Sequence, residues 1–146
     1  RVGCSQPMTE RRIYDDELHA HFVTFSCFHR RRLLDHDRAK KIVISHLAIE
    51  LHRTGATCCG FVVMPDHIHW LFTLEGKYPL STTMNLVKGR SGRLSGGRIW
   101  QRGYHDHAIR YQESIKDIAR YIVANPLRAG LVKSLRYYPY WNAMWL

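Results

Sequence analysis

Apolar and polar residues alternate in several short stretches of the chain, and each stretch predicts a β-strand. Residues 22–28 alternate apolar with hydroxyl-bearing side chains, which is typical of a half-buried strand. Residues 58–64 predict a second strand, and Pro65-Asp66 forms a tight connection into a third. Residues 104–111 predict a fourth. The pattern therefore indicates a small sheet built from short strands.

The third strand, residues 67–74, has the clearest alternation in the chain. Successive side chains of a strand point to opposite faces, so every second residue shares a face. The predicted core face carries Ile68, Trp70, Phe72 and Leu74, and the opposite face carries His67, His69, Leu71 and Thr73. Two imidazoles are thus expected side by side on the face away from the core.

Two helices are predicted between these strands. The first is capped by Asp35 or Asp37, runs to about Arg53 and ends at Gly55. Its apolar residues recur at helical spacing, so one face packs on the sheet. The second spans residues 81–94, although two glycines weaken it.

A further helix follows the fourth strand. Ser114 is its predicted first residue, with Asp117 as capping partner, and Pro126 is expected to stop or kink it at Asn125. Its predicted buried stripe consists of Ile115, Ile118, Ala119 and Ile122. Tyr121 lies at the edge of that stripe.

The order strand–helix–strand–strand–helix–strand, followed by an extra helix, fits an α+β ferredoxin-like sandwich. Such a fold has an antiparallel sheet with helices on one face, and here a C-terminal helix would carry the tyrosine. We expect one domain over residues 1–146. Residues 1–17 predict a loose arm, and residues 133–146 an aromatic segment that folds back as a hydrophobic cap rather than stacking bases.

The net charge and the cysteine content of the chain limit the kinds of function and partner that it can have. The chain has 22 Lys and Arg against 12 Asp and Glu, a net charge of +10 that favours phosphate-rich partners. No apolar run approaches a membrane span, and no signal-peptide pattern opens the chain. The four cysteines show no paired spacing, so we expect reduced, mostly buried thiols in a cytoplasmic protein.

The pair His67 and His69 is the first candidate for chemistry. Neutral imidazoles on one strand face can hold a divalent ion that polarises a phosphoryl oxygen. The signal is weak alone, because His19-Ala20-His21 and His105-Asp106-His107 have the same spacing. The middle pair is favoured by its buried strand, while purely structural histidines stay the alternative.

Tyr121 and Asn125 are the second candidate, one helical turn apart and so on the same side of their helix. A tyrosine hydroxyl can attack a phosphodiester, and an amide oxygen can be a third metal ligand. Two ordinary explanations stay open: a core-edge tyrosine with a wet hydroxyl, and Asn125 as the N-cap of a short turn starting at Pro126.

Cationic residues supply the expected nucleic-acid contacts. Phosphate contacts of this kind bring salt-dependent, sequence-tolerant affinity. The predicted DNA-binding residues are Arg30, Arg31, Arg32, Lys88, Arg90, Arg93, Arg98 and Arg102. A solvated basic surface is the alternative.

Four motifs in order carry a family resemblance. They are the segments Met64-Pro65-Asp66-His67-Ile68-His69, Leu86-Val87-Lys88-Gly89-Arg90, Trp100-Gln101-Arg102-Gly103-Tyr104-His105-Asp106-His107 and Tyr121-Ile122-Val123-Ala124-Asn125-Pro126-Leu127-Arg128-Ala129-Gly130-Leu131-Val132. From about residue 19 to 140 the chain resembles the REP-associated tyrosine transposases, within the superfamily of His-hydrophobic-His single-strand endonucleases. Many relatives carry histidine in place of Val123 and asparagine in place of Asp66.

The resemblance implies a bacterial, nucleoid-associated enzyme of DNA transposition and recombination. Its partner would be single-stranded DNA with hairpins, bound by a monomer or a homodimer. His67, His69 and Asn125 would hold Mg²⁺ or Mn²⁺. Tyr121 would attack a DNA phosphate, leaving a 5′-phosphotyrosine link and a free 3′-hydroxyl. Tyr104 and Tyr111 are the alternative nucleophiles.

Three other readings compete with a tyrosine transposase. A hairpin DNA- or RNA-binding module of the same fold would bind without chemistry. A metal-dependent phosphodiesterase would use activated water and form no covalent intermediate. A zinc-stabilised structural protein would need histidines and cysteines to converge, which their spacing does not indicate.

Overall fold

A computed structural model describes residues 20–74, 78–94, 98–110 and 112–144. Its strands are β1 (Ala20–Ser26), β2 (Thr57–Val63), β3 (His67–Thr73), β4 (His105–Ile109) and β5 (Trp141–Ala143). Its helices are α1 (Asp37–Thr54), α2 (Leu80–Leu94), α3 (Gln112–Val123) and α4 (Asn125–Arg128), with 3₁₀ turns at Phe28–Arg30 and Leu135–Tyr137. The arm expected at residues 1–17 lies outside the described residues.

The five strands form one antiparallel sheet in the order β4-β1-β3-β2-β5. β3 lies at its centre, between β1 and β2. Thr24 of β1 is opposite His69, and Ser26 is opposite His67. The strand with the histidine pair is therefore held from both sides, which fixes the direction of its side chains.

Helices α1 and α2 cover one face of the sheet. Trp70 and Phe72 of β3 are fully buried there, against Leu47 of α1 and Met84 of α2. Burying each such side chain stabilises the fold by roughly 1.5–3 kcal/mol. The predicted core face of β3 is confirmed.

Helix α3 covers part of the opposite face, where it packs on β2 and β3. Ile115, Ala119 and Ile122 are buried as predicted, and Ile118 is half-buried. The helix also buries Leu71, a residue expected on the face away from the core. Leu71 lies on the face of the histidines as predicted, but the expectation that this face carries no core was wrong, because α3 forms a second apolar core there.

The helix ends differ in detail from the predictions. Neither aspartate caps α1: its N-cap is His36, without a side-chain hydrogen bond. Asp35 instead pairs with Arg32, and Asp37 pairs with Lys41. The predicted end of α1 at Gly55 is confirmed, since this glycine takes the left-handed φ of 73° that suits a residue without Cβ.

The C-terminal segment adds a strand that the sequence pattern did not predict. β5 pairs with β2 at the edge of the sheet, so the expected four-strand sheet has five. Tyr138 is buried and its hydroxyl donates to the Val63 carbonyl oxygen at 2.5 Å. The hydroxyl of Tyr140 donates to the Asp37 carboxylate. The segment folds back onto the core as expected.

The three cysteines in the described part of the chain divide into two kinds, and Cys4 lies outside that part. Cys58 forms a disulfide bond, so the expectation of a reduced thiol there was wrong. Cys27 and Cys59 are free and buried, as expected. No helix within the described residues combines the length and apolar composition needed to cross a bilayer.

The two free thiols are expected to resist alkylation in the folded protein. Burial raises the pKa of Cys27 to about 11 and that of Cys59 to about 12. At pH 8 roughly one Cys27 thiol in a thousand is then a thiolate, the reactive form. Iodoacetamide followed by peptide mass spectrometry should label both residues in denaturant and neither in buffer. Rapid labelling of Cys27 in buffer would contradict the buried environment.

Candidate active site

His67 is held at the start of β3 by an acidic neighbour. Its Nδ1 lies 2.6 Å from Oδ1 of Asp66, whose other oxygen accepts a hydrogen bond from Arg30 Nε at 3.1 Å. Burial raises the pKa of Asp66, but the hydrogen bonds from His67 and Arg30 outweigh it and hold the pKa below its ordinary value. A carboxylate only accepts, so Nδ1 of His67 donates to Asp66, and Nε2 is the ring nitrogen that faces Asn125.

His69 is held in a similar way by the neighbouring strand. Thr24 Oγ1 lies 2.8 Å from its Nδ1, which leaves Nε2 as the unengaged ring nitrogen. Burial lowers the pKa of His69 to about 4, and the positive charges of Arg128 and Arg30 act in the same direction. His69 is therefore neutral at physiological pH, which is the form that binds a metal ion.

The two rings are close enough to share one ligand. Their centroids are 4.8 Å apart with an interplanar angle of 80°. Within the described residues, no three His, Cys, Asp or Glu side chains form a group that can hold a metal. A bound ion at this pair would therefore need other ligands.

Asn125 supplies a third polar side chain beside the pair. α3 ends at Val123, and α4 begins at Asn125 with Ala124 as N-cap and no side-chain cap hydrogen bond. The expected alternative of Asn125 as N-cap is therefore wrong, and its side chain is available elsewhere. Nδ2 lies 3.5 Å from His67 Nε2. Rotating the amide by 180° would present Oδ1 at the same position.

Tyr121 lies on α3, one turn before Asn125, and its side chain is 52% exposed. Arg128 covers its ring, with Cζ 3.8 Å from the ring centroid. The same guanidinium donates through Nη2 to the Tyr121 carbonyl oxygen at 2.6 Å and to Asn125 Oδ1 at 3.4 Å. A cation therefore lies against an accessible phenol, beside the histidine pair.

Comparison with known proteins identifies the family. A family model described as "Transposase IS200 like" matches residues 15–125. The chain belongs to the IS200-like transposase family.

Individual relatives agree with this membership. A REP-associated tyrosine transposase of Escherichia coli (strain K12) is 33% identical over 83 residues, which are 56% of this chain and 50% of that protein. The chain thus spans about half the length of the curated relative it matches. The predicted resemblance to the REP-associated tyrosine transposases is confirmed.

Two solved structures share the architecture. The structure of a REP-associated tyrosine transposase bound to a REP hairpin has a TM-score of 0.75 at 27% identity, covering 92% of this chain and 82% of that one. A crystal structure from Deinococcus radiodurans R1, described as a candidate transposase, has a TM-score of 0.56 at 19% identity, covering 70% and 87%. The second likeness concerns the fold alone.

The first group of predicted DNA-binding residues in this IS200-like transposase lies in the connection after β1. Arg30 pairs with Asp66, and Arg32 pairs with Asp35 at 3.2 Å. Arg31 is exposed. Arg30 therefore has a contact within the candidate site that its sequence position did not indicate.

The second group divides into internal and exposed cations. Lys88 Nζ donates to the carbonyl oxygens of Gln101 and Gly103 at 2.8 and 2.6 Å, and burial lowers its pKa. Arg90 Nε lies 3.1 Å from Glu50 Oε1. The two groups form an ion pair, but the angles between them do not fit a hydrogen bond. The exposed members are Arg93, Arg98 and Arg102.

The other histidine pairs and tyrosines have different surroundings. His105 and His107 are exposed on β4, at the edge of the sheet. His21 Nδ1 lies 3.0 Å from Asp106 Oδ1, while His19 and Tyr111 lie outside the described residues. Tyr104 packs partly against the core of the α1 and α2 face.

Three residues at the site had no predicted role: Thr24, Asp66 and Arg128. Asp66 directly precedes the histidine pair, and Arg128 follows Asn125 at the i+3 helical spacing. Both residues could therefore have been placed near the site from their positions in the sequence. Thr24 had none, because its contact with His69 depends on strand register across 45 residues.

Proposed function

We propose that this chain is a metal-dependent tyrosine transposase that nicks and rejoins hairpin-bearing single-stranded DNA. The observation that carries the proposal is the approach of Asn125 to His67 at 3.5 Å, which places the first residue of α4, two residues beyond the end of the tyrosine helix, against the histidine strand. Two imidazoles and an amide oxygen suit a divalent ion such as Mg²⁺ or Mn²⁺, with water or phosphate completing the shell. When bound, that ion would polarise a phosphoryl oxygen and offset developing charge.

The residues of the chain suggest the sequence of bond changes. The Tyr121 hydroxyl loses its proton and attacks the phosphorus, the bond to the 3′-oxygen breaks, and that oxygen takes up a proton to become a free 3′-hydroxyl. DNA is left attached through a 5′-phosphotyrosine. A 3′-hydroxyl attacking this linkage reverses the step, so rejoining needs no external energy source. The exposure of Tyr121 allows a strand to reach it.

Further properties follow as part of the proposal. The strand order β4-β1-β3-β2, with two helices on one face, supports a ferredoxin-like sandwich with β5 as an added edge strand. The net charge of +10 supports contacts to DNA phosphates. The enzyme would act in a bacterial nucleoid as a monomer or a homodimer.

A covalent adduct with defined polarity tests the reaction. The protein is incubated with a pool of hairpin-bearing single strands, with Mn²⁺ or with EDTA, and run on a denaturing gel. With Mn²⁺, a 3′-label should migrate with the protein, and a 5′-label should appear on a shortened strand ending in a 3′-hydroxyl. Cleavage without adduct would indicate hydrolysis by water, and salt-sensitive binding without cleavage would indicate a binding module. Either result overturns the proposal.

Arg128 is expected to support the attack by Tyr121. Its guanidinium lies on the phenol ring and stabilises negative charge that develops there and on the phosphate. Arg128→Met should slow adduct formation by roughly 10²-fold. Arg128→Lys keeps the charge but loses the planar stacking and should recover only part of the rate. Equal rates for the two variants and the unchanged protein, measured in single-turnover assays, would assign Arg128 a purely structural role.

A further inference from the structure

The connection between β1 and α1 contributes an arginine to the candidate active site. Arg30 Nε and Nη2 each lie 3.1 Å from Asp66 Oδ2. The other oxygen of this carboxylate, Oδ1, lies 2.6 Å from Nδ1 of His67. Arg30, Asp66 and His67 thus form one chain of contacts, in which each oxygen of the carboxylate has a different partner.

This division of the carboxylate bears on the orientation of the His67 ring. A guanidinium is planar and its donors point in fixed directions, so it restricts the rotation of a carboxylate that it contacts. With Oδ2 held by Arg30, Oδ1 stays directed at Nδ1 of His67. The opposite ring nitrogen, Nε2, then faces Asn125, 3.5 Å from its Nδ2. Contacts of this kind orient the histidine ligands of metal ions.

The backbone of the connection has an unusual conformation at the same place. His29 and Arg30 have φ values of 54° and 55°, in the left-handed region that residues with a Cβ rarely adopt. Such conformations persist where the surrounding structure holds them, and they concentrate at functional sites. The Arg30 N–H donates to the Cys27 carbonyl oxygen at 2.9 Å. The turn therefore ends with the Arg30 side chain against Asp66, directly before β3.

The same connection holds the backbone of the Pro65-Asp66 turn. Cys27 N donates to the Asp66 carbonyl oxygen at 2.8 Å, and Leu34 N donates to the Pro65 carbonyl oxygen at 2.9 Å. These bonds join the two segments without the arginine side chain. The side chains of Arg30 and Asp66 are 58% and 25% exposed, and an exposed ion pair adds little to the stability of a fold. Fold stability therefore does not account for this contact.

We propose that Arg30 is a positioning residue: through the Asp66 carboxylate it fixes the orientation in which His67 presents Nε2 to a metal ion. This role differs from the phosphate contact that the sequence predicts for Arg30. The inference rests on the proposed function, in which His67 is a metal ligand.

Titration with Mn²⁺ in the absence of DNA tests this role by the sign of the change. Arg30 is a cation near the site, so charge alone predicts that Arg30→Gln binds Mn²⁺ more tightly. Positioning predicts the opposite, a loss of about tenfold, the lower end for a group that orients a ligand. Equal or tighter binding overturns the proposal. Arg38→Gln removes an exposed cation from α1 as the matched control and should leave the Mn²⁺ affinity unchanged.

A double substitution tests whether Arg30 acts through Asp66. Once Asp66→Ala has removed the carboxylate, Arg30→Gln has nothing to position and should cause no further loss of Mn²⁺ affinity. A further loss of about tenfold in the double variant would show that the arginine acts independently of Asp66, contrary to the proposal. Thermal melting checks that each variant is folded.

Two measurements without metal separate this inference from the proposed reaction. Long-range ¹H–¹⁵N spectra report which ring nitrogen of a neutral histidine carries the proton. His67 should carry it on Nδ1 in the unchanged protein and divide it between both nitrogens in Arg30→Gln. In EDTA, the slope of log affinity for hairpin DNA against log salt should be equal in the two proteins. Loss of a phosphate contact would instead lower that slope by about one.

The outcomes of these measurements do not depend on the covalent adduct. A lower salt slope with an unchanged His67 spectrum would assign Arg30 to DNA binding and overturn the positioning role, even if the adduct forms. The expected change in the spectrum together with an unchanged slope supports the positioning role, even if no adduct is found.

Discussion

Replacing Tyr121 with phenylalanine is expected to abolish the covalent protein–DNA adduct and to slow strand cleavage by roughly 10³-fold or more, because the attacking oxygen is removed. The change deletes one hydroxyl from a side chain that is 52% exposed, so the fold should be unaffected. Stacking of Arg128 on the ring is kept, since phenylalanine has the same aromatic face. The measurement is single-turnover cleavage of the hairpin pool in Mn²⁺, resolved on a denaturing gel.

Tyr104→Phe is the matched control for this substitution. Tyr104 is the other candidate nucleophile within the described part of the chain, and it packs partly against the core rather than beside the histidines. Its variant should form adduct at the rate of the unchanged protein. Retention of the adduct in Tyr121→Phe with loss in Tyr104→Phe would move the nucleophile to Tyr104, directly before β4. Unchanged cleavage in both would indicate activated water.

His67→Ala is expected to weaken Mn²⁺ binding by at least roughly 10²-fold and to reduce adduct formation by at least as much. Nε2 of His67 lies 3.5 Å from Asn125 Nδ2, and its Nδ1 is bonded to Asp66. Isothermal titration calorimetry with Mn²⁺ in the absence of DNA measures the affinity of the metal site directly. Binding of hairpin DNA in EDTA should change little, because phosphate contacts rather than the imidazole supply that affinity.

Two further variants test whether the expected loss of Mn²⁺ affinity is specific to His67 and to the carboxylate that orients it. His107→Ala removes an exposed histidine of the edge strand β4, which β1 separates from β3, and should leave Mn²⁺ affinity unchanged. Asp66→Asn removes the carboxylate that holds the His67 tautomer and should weaken Mn²⁺ binding by roughly 10- to 100-fold, as expected for a partner that orients a ligand. Unchanged Mn²⁺ affinity in His67→Ala would show that the histidine pair is not a metal site.

Local patterns in the sequence account for the correctly predicted parts of the fold. The alternation along β3 separated the Trp70 face from the His67 face, and the 3.6-residue period of α3 separated its buried residues Ile115, Ala119 and Ile122 from the exposed Tyr121. Both patterns are complete within a single segment. They needed no knowledge of the remaining chain.

Contacts between distant segments account for the features of the fold that the sequence did not predict. β5 is only three residues long, too short for an alternation to be recognised, and it forms because Trp141–Ala143 has β2 to pair with. Leu71 became buried because α3 packs over the face of the sheet that carries the histidines. The sequence predicts Lys88 and Arg90 as exposed cations. In the structure Lys88 donates to backbone carbonyl oxygens, and Arg90 pairs with Glu50.

By itself the sequence determined the histidine pair, the tyrosine and asparagine one turn apart, and the family, because each depends on residue identity and short-range spacing. Only the tertiary structure brought Asn125 to His67 across 58 residues and Thr24 to His69 across 45. It also placed Arg128 on the Tyr121 ring. The physical reason is that periodicity is a property of one segment, whereas strand register and helix docking depend on how the apolar faces of separate segments pack together.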